Sequence, residues 1–284
     1  IAYPAYFDIL PTSLIAMMRR KPVVTEFFLS LYDTLLSDRK LLQADNFITR
    51  MLYRIEGYLI NVSSYVLVDT WENAKRYNAI FHANNMDKFQ RVIVGTGLLL
   101  DDNLGEVQNN HRLKLKSFKN DDRFHFILIG DGQEFSKAQE YIKENELDNV
   151  SILSRMDFIS TMRILKQCDV CLGIFGDSAK ANAVIPVKIY DYIALKKIVI
   201  TKDTPAMHEL ENVNNLVLVR NDILSISRAL ESQDHQELDL DLQGCSHIYQ
   251  LLNDDVLKFL NVVVPDIEVS RSRLEAVTTQ KMYY

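Results

Sequence analysis

The stretch Leu172–Asp203, LGIFGDSAKANAVIPVKIYDYIALKKIVITKD, decides the fold expected for this chain. It begins with a predicted apolar strand, Leu172–Phe175, and continues into a polar loop that turns at Gly176. Pro186 suits the first position of a helix, because proline has no N–H group to leave unpaired there. Apolar residues then follow at helical spacing, and the β-branched run Ile198–Ile200 begins a second strand. The stretch therefore predicts a strand–helix–strand unit of a parallel sheet.

The start of the predicted helix brings two opposite charges together. Lys188 lies in the first turn, where unpaired backbone N–H groups already attract an anion. Asp191 follows three residues later and falls on the same helix face. A cation beside phosphate oxygens and a carboxylate that accepts from ribose hydroxyls together make a nucleoside-diphosphate site. An ordinary αβ crossover with one surface Lys–Asp pair has the same spacing, and spacing alone favours that interpretation.

Composition limits the class of protein. The chain has 284 residues and 48% hydrophobic content, which is enough for two domains. Its net charge of -6 argues against a nucleic-acid binder that neutralises phosphates. Three cysteines, an odd number, do not indicate a disulfide framework and favour a reducing cytoplasm. No apolar run reaches the roughly 20 residues that span a bilayer, and the first residues lack the pattern of a signal peptide.

Polar pairs follow predicted strands within the first 97 residues. The apolar run Tyr65–Val68 has the pattern of a buried parallel strand between two predicted helices, and Asp69 and Thr70 end it. Open α/β sheets place ligand groups at such strand ends. Asp33 and Thr34 lie in another polar segment after a predicted strand. For these two residues, a ligand site and helix capping both remain open.

Two further motifs are weak by themselves. The turn Gly130-Asp131-Gly132 follows a predicted strand, but it lacks the third glycine of a dinucleotide-binding loop. A tight βα turn is the favoured interpretation. Cys168 and Cys171 have Cys-x-x-Cys spacing, yet they end a helix and enter a strand, which is the wrong context for a redox pair. We expect them to be buried apolar residues.

The order of these motifs along the chain resembles that of the bacterial retaining glycosyltransferases of family four, which have the GT-B fold. The resemblance is strongest over Phe124–Asp203 and extends over roughly residues 1–220. It is carried by Ser30–Thr34, Asp38-Arg39, Val68–Thr70, Val94–Gly97, Gly130–Gly132, Leu147–Val150, Cys168–Val170 and the Gly-Ile-Phe-Gly-Asp-Ser and Val-Ile-Pro-x-Lys runs within Leu172–Lys202.

The resemblance implies an α/β fold with two Rossmann-like domains that face a cleft. Residues 1–97 are expected to form the acceptor-side domain, which is incomplete because it lacks its first strands. Residues 98–220 are expected to form the nucleotide-sugar-binding domain. Residues 221–284 are expected to be a helical region that packs on or across the two domains, and this acidic region is one candidate surface for a partner subunit or an oligomer.

The implied activity is transfer of a hexose from a nucleoside-diphosphate sugar, with a UDP-sugar expected, to a saccharide or lipid-linked acceptor in cell-surface polysaccharide biosynthesis. The mechanism would retain the anomeric configuration and need no obligatory metal or other cofactor. The expected catalytic residues are Asp33, Asp177 and Lys188. The expected donor-binding residues are Gly130, Asp131, Gly176, Ser178, Lys180, Ile185, Pro186, Lys188 and Asp191.

Two departures from the family pattern leave an alternative open. The second glutamate of the family's Glu-x7-Glu motif, a ribose ligand, falls on Asp191, but the first falls on Ala183. Asp177, Ser178 or Lys180 is expected to contact the donor sugar in its place. The chain between Gly97 and Phe126 is also short for the family's strand, glycine and basic residues. The alternative is a catalytically impaired nucleotide-sugar-binding or scaffold subunit of a glycosyltransferase complex.

A basic cluster raises the question of membrane contact. Arg19–Lys21 follows Met17 and Met18 at the end of a predicted helix. Such a cluster is able to contact anionic lipid on the inner face of the plasma membrane, as peripheral enzymes do. The favoured interpretation is a helix end whose positive charges suit the helix dipole.

Overall fold

Short parallel strands alternate with helices along the residues that the structure describes. The computed structural model describes residues 13–93, 119–233 and 254–259, except 14, 17, 39–42, 44, 120, 122, 133–134 and 211–212. The predicted hinge strand Val94–Gly97, most of the segment up to Phe126, and the tail beyond residue 259 lie outside the described residues.

The N-terminal part contains a three-stranded parallel sheet with strand order β1-β2-β3. Its strands are β1 (Val24–Glu26), β2 (Tyr65–Val68) and β3 (Phe89–Arg91). Its helices are α1 (Leu31–Asp33), continued by a π-helical turn over Thr34–Asp38, then α2 (Phe47–Val62) and α3 (Trp71–Ile80), followed by a 3-10 turn over Met86–Lys88.

Aromatic side chains fill the core of this first part. Phe27 stands edge-on to the rings of Tyr77 and Phe81, with ring centroids 4.9 Å and 5.9 Å apart. Such edge-to-face pairs place the positive ring edge on the negative ring face and add to the burial of apolar area. The core therefore fixes α3 against the segment that follows β1.

The C-terminal part has two sets of parallel strands. The strand β4 (Phe126–Ile129) pairs with β5 (Val150–Leu153), and β6 (Val170–Leu172), β7 (Ile198–Lys202) and β8 (Leu216–Val219) pair in that order. The helices are α4 (Phe135–Glu144), α5 (Phe158–Gln167), α6 (Ala179–Ala183), α7 (Val187–Ala194) and α8 (Ile223–Gln233), with a 3-10 turn at Met207–Leu210 and helical residues 254–259. Phe126 and Val170 belong to one buried cluster, so both strand sets share a core.

The structure corrects three local predictions. The strand before the polar loop spans Val170–Leu172 and ends earlier than predicted. The polar loop is not irregular throughout, because Ser178 accepts a hydrogen bond from the Ala181 N–H and begins the short helix α6. Pro186 has extended backbone angles and is the N-cap of α7, so the helix begins one residue after the proline.

Two other expectations concern the cysteines and membrane-spanning helices. Cys168 and Cys171 are buried and unpaired by disulfide, which confirms the expectation of buried cysteines. Burial raises the pKa of both thiols, so neither is a ready nucleophile. Within the described residues, the helices are all too short or too polar to cross a membrane.

Candidate functional site

The carboxyl ends of β2 and β6 meet across a cleft between the two parts of the chain. Thr70, two residues after β2, donates its hydroxyl hydrogen bond to the carbonyl oxygen of Ala183. Lys180, in the helix after β6, donates from Nζ to Thr34 Oγ1 over 3.0 Å. Open α/β sheets bind ligands at the carboxyl ends of their strands. Thr34, Thr70 and Lys180, which follow β1, β2 and β6, therefore lie at one cleft.

Lys188 points back to the end of β6. Its Nζ donates to the carbonyl oxygen of Gly173 over 2.6 Å, with Leu172 O at 3.4 Å. Burial of the ammonium group lowers the pKa of Lys188. Asp191 lies one turn further along α7 and is buried. Backbone carbonyls thus orient the lysine at the carboxyl end of β6.

The beginning of α7 carries no capping side chain. Its N-cap is Pro186, which makes no side-chain capping hydrogen bond. Ile185 is buried in the same core cluster as Ile189, so its side chain holds the chain just before α7 against the core. The helix terminus is therefore fixed by packing. The Ile189 N–H donates to the carbonyl oxygen of Pro186 over 2.9 Å, and the N–H groups of Val187 and Lys188 carry the positive partial charge that attracts an anion.

The loop after β6 is held at its base by a close approach between strands. A Cβ atom on Gly173 would lie 2.4 Å from both Cβ and Oγ1 of Thr201 on β7, and 2.9 Å from Ile189 Cδ1. Thr201 Oγ1 also accepts from the Ile174 N–H over 3.0 Å. Only glycine fits this position without a shift of its neighbours.

Asp177 lies at the exposed tip of this loop. One of its carboxylate oxygens accepts from Lys202 Nζ at 2.8 Å and from Asn221 Nδ2 at 2.9 Å. The hydrogen bond from Lys202 lowers the pKa of Asp177. Lys202 also donates to the carbonyl oxygen of Gly176 over 3.1 Å. Asp177 is therefore a solvent-facing carboxylate beside a lysine.

Gly130 and Asp131 follow β4 and face open space. A Cβ atom added to Gly130 or Gly132 would meet nothing within 4 Å, and Asp131 is exposed. In the described part of the chain, no hydrogen bond joins this turn to the loop around Asp177. The turn has room for a ligand beside its backbone, but the structure does not connect it to the other predicted residues.

Asp33 is buried and paired with an arginine of α3. Its Oδ2 accepts from Arg76 Nε over 3.1 Å, and its Oδ1 accepts from Arg76 Nη2. Its backbone N–H donates to Ser30, which caps α1. The next residue, Thr34, meets Lys180 at the cleft. Asp33 thus lies behind the cleft, and Arg76 neutralises its charge there.

Three residues that sequence patterns did not identify join the two parts. Glu209 Oε1 accepts from the backbone N–H groups of Trp71 at 2.8 Å and Glu72 at 3.3 Å, at the start of α3. Its Oε2 accepts from Arg91 Nη1 over 2.9 Å. Arg91 also binds Asp255 through two hydrogen bonds of 2.7 Å and 3.0 Å. Burial raises the pKa of Glu209 against the opposing effect of Arg91.

A cavity of about 460 Å³ opens beside this contact, between α3 and α6. Its lining residues are Glu72, Lys75, Arg76, Ala79, Ile80, Ala179, Asn182, Ala183 and Pro205. Burial raises the pKa of nearby Asp69, although Asn73 Nδ2 donates to it over 2.7 Å. Across the described ranges, His, Cys, Asp and Glu side chains form no group of three placed to hold a metal ion.

Comparison with solved structures identifies the fold. The chain is similar to HepE of Anabaena in complex with UDP and glucose, with 15% identity, 90% of this chain and 76% of that chain covered, and a TM-score of 0.59. It is similar to sucrose-phosphate synthase from Thermosynechococcus elongatus, with 11% identity, 88% and 70% coverage, and a TM-score of 0.62. It is also similar to a glycosyltransferase from Rickettsia africae ESF-5, with 15% identity, 93% and 81% coverage, and a TM-score of 0.58.

No protein-family model and no curated protein matches the sequence. At these identities the structural likeness defines the fold, which is the mixed α/β fold of GT-B glycosyltransferases with Rossmann-like domains. The predicted fold class is thereby confirmed.

Proposed function

We propose that this chain is a retaining glycosyltransferase that transfers a hexose from a nucleoside-diphosphate sugar, with UDP as the nucleotide, to a saccharide or lipid-linked acceptor. The shared fold supports this proposal, because HepE of Anabaena has been solved with UDP and with UDP-glucose. We place the protein in the cytoplasm, where nucleotide sugars are supplied.

One observation carries the proposal: an uncapped helix terminus and a lysine lie side by side at the carboxyl end of β6. The first turn of α7 offers backbone N–H groups, and Lys188 Nζ lies at the carbonyl oxygen of Gly173. A donor diphosphate bound there replaces water around the lysine and gains from the helix dipole. As the anomeric C–O bond breaks, the charge that develops on the leaving diphosphate is stabilised by these same groups.

The remaining predicted residues have supporting roles in this proposal. Asp177 and Ser178 lie in the loop that faces the donor sugar, and Lys180 links that loop to Thr34. Asp33 positions Arg76 and the start of α1. The acceptor oxygen bonds to the anomeric carbon on the face that the diphosphate leaves, and its proton passes to the departing phosphate oxygen. Configuration is retained, and atoms and charge balance without a further co-reactant.

The second candidate function is a nucleotide-sugar-binding or scaffold subunit without turnover. Ala183 favours it, because this residue stands where the family motif has its first glutamate. Ala183 is buried, and its carbonyl oxygen accepts from Thr70. The position therefore serves the contact between the two parts of the chain and offers no carboxylate to the donor.

Calorimetric titration with UDP tests the donor site. We expect Lys188→Ala to weaken binding about 10- to 100-fold, since a hydrogen bond to a charged group is worth about 1.5–3 kcal/mol. Lys143→Ala, at an exposed lysine in the last turn of α4, is the control and should bind as wild type does. Equal binding by wild type and Lys188→Ala, or no binding by either, would refute the site. Hydrolysis of UDP-sugars by the same wild-type preparation separates an enzyme from a binding subunit.

A further inference from the structure

The solvent side of α2 carries large apolar side chains. Phe47, Met51 and Tyr58 recur at intervals of four and seven residues, so they lie within about 40° of one another around the helix. Their exposed fractions are 78%, 39% and 45%. Arg50 and Arg54 are exposed beside them. We call these five residues the α2 outer face.

The opposite side of α2 packs against the core of the first part of the chain. Leu59 and Ile60 are buried in the core of the first sheet. Glu56 is fully buried and accepts from Ser30 Oγ over 2.5 Å and from the Leu31 N–H over 2.7 Å. A surface helix normally has its apolar residues only on the side that packs. The outer face is thus additional apolar surface, of the kind that marks an interaction site.

The charge of the outer face has a single sign. Glu56 is the one acidic residue in α2, and it is buried on the other side. Among the described residues, no carboxylate forms an ion pair with Arg50 or Arg54. The whole chain has a net charge of -6, so this face contrasts with the rest of the protein. Aromatic and aliphatic side chains flanked by arginines match the interface of an anionic bilayer.

A second basic segment lies near the C-terminal end of α2. Arg19, Arg20 and Lys21 are exposed. The chain two residues further on is tied to α2, because the carbonyl oxygen of Val23 accepts from the N–H of Ser64, just beyond the helix, over 2.8 Å. The basic turn therefore lies near the C-terminal end of the helix that bears the outer face.

We propose that the α2 outer face docks on an anionic lipid bilayer, with the helix axis along the membrane surface. Phe47, Met51 and Tyr58 enter the headgroup region, and the arginines contact lipid phosphates. Docking also orients the cleft, since Glu56 holds α1, whose extension bears Thr34 opposite Lys180. Among the proposed acceptors, a lipid-linked one is then favoured. That last step rests on the proposed function, whereas the docking does not.

Vesicle sedimentation tests the docking with the full chain. Wild type should bind vesicles of equimolar phosphatidylcholine and phosphatidylglycerol, and should not bind pure phosphatidylcholine. The double variants Phe47→Ser/Met51→Ser and Arg50→Glu/Arg54→Glu should each lower the bound fraction at least tenfold. Binding by wild type should also weaken as salt is raised.

The control is a matched pair of exposed apolar residues elsewhere. Ile223 and Leu224 at the start of α8 are 71% and 67% exposed, and Ile223→Ser/Leu224→Ser should sediment as wild type does. Circular dichroism confirms that all variants are folded. Loss of binding in the control as well, equal binding by all variants, or no binding to anionic vesicles overturns the docking proposal. So does a dimer that only Phe47→Ser/Met51→Ser loses, because the face would then join two copies.

A UDP titration of the same wild-type preparation keeps the two proposals separate. Protein that binds UDP but not anionic vesicles refutes the docking and leaves the proposed function intact. Protein that binds vesicles but not UDP refutes the proposed function and leaves the docking intact.

Discussion

Two carboxylate–cation contacts in this molecule have opposite electrostatic character. Glu209 binds Arg91 at a contact between the two parts of the chain, where both side chains are about nine-tenths buried. Asp177 binds Lys202 in the loop after β6, where the carboxylate is 77% exposed. The pKa of Glu209 is raised by burial, and the pKa of Asp177 is lowered by its hydrogen bond from Lys202. Similar partners thus give opposite shifts, because the loss of hydration dominates at the first site and is slight at the second.

This difference distinguishes the Glu209–Arg91 contact, which is structural, from the Asp177–Lys202 contact, which is free to rearrange. Glu209 also binds two N–H groups of α3, and Arg91 binds Asp255, so every member of the buried group is held by several bonds. Asp177 has its partners on one oxygen, at the exposed tip of a loop whose base is tightly packed. The buried group sets the relation of the two parts, and the loop remains available to a ligand.

The largest expected effect comes from removing the buried cation. Arg91→Ala leaves the carboxylates of Glu209 and Asp255 buried without their partner, and should lower the free energy of unfolding by about 3–5 kcal/mol. Urea unfolding measures this change. Arg220→Ala, which removes an exposed pair with Asp222, is the control and should cost about 0–1 kcal/mol. Similar losses in the two variants would remove the distinction between buried and exposed contacts.

A smaller effect is expected at the base of the loop. Gly173→Ala places a Cβ atom 2.4 Å from Thr201, and the resulting overpacking should cost about 1–3 kcal/mol. Gly57→Ala in α2 is the control, because its new Cβ atom would meet only Phe81, at 3.7 Å. That variant should be neutral or more stable by about 0.5–1 kcal/mol, since alanine favours helices. Thermal unfolding compares the two variants. An unchanged midpoint for Gly173→Ala would show that Thr201 and Ile189 move aside at little cost in free energy.

The smallest effect is a difference in pH dependence. The raised pKa of Glu209 gives a contribution to stability that is present below its ordinary value of 4.5 and is lost as pH rises through the folded-state value. The lowered pKa of Asp177 gives one that is present above 3.8 and is lost as pH falls. From pH 3 to 7, wild type should therefore lose stability relative to Glu209→Gln and gain it relative to Asp177→Asn. Urea unfolding at each pH gives both slopes, and slopes of the same sign contradict the comparison.

The sequence by itself determined the order of strands and helices and the location of the candidate-site segment, Leu172–Asp203. The run Tyr65–Val68 was predicted as a strand and is β2, because apolar patterning arises from residues close along the chain. The same patterns, with the motif order, led to the two-domain α/β fold. They placed Lys188 in the first turn of its helix, where the structure has it. The assignment of donor contacts to these residues stays a prediction.

Only the tertiary structure decided which charges are partners. Arg91 meets residues 118 and 164 positions away, and Asp33 meets Arg76 across 43 positions, so no local spacing signals these pairs. Local patterns record which side of an element is buried. Ion pairs between distant elements depend on how those elements pack, and the energy of each pair depends on the hydration lost there.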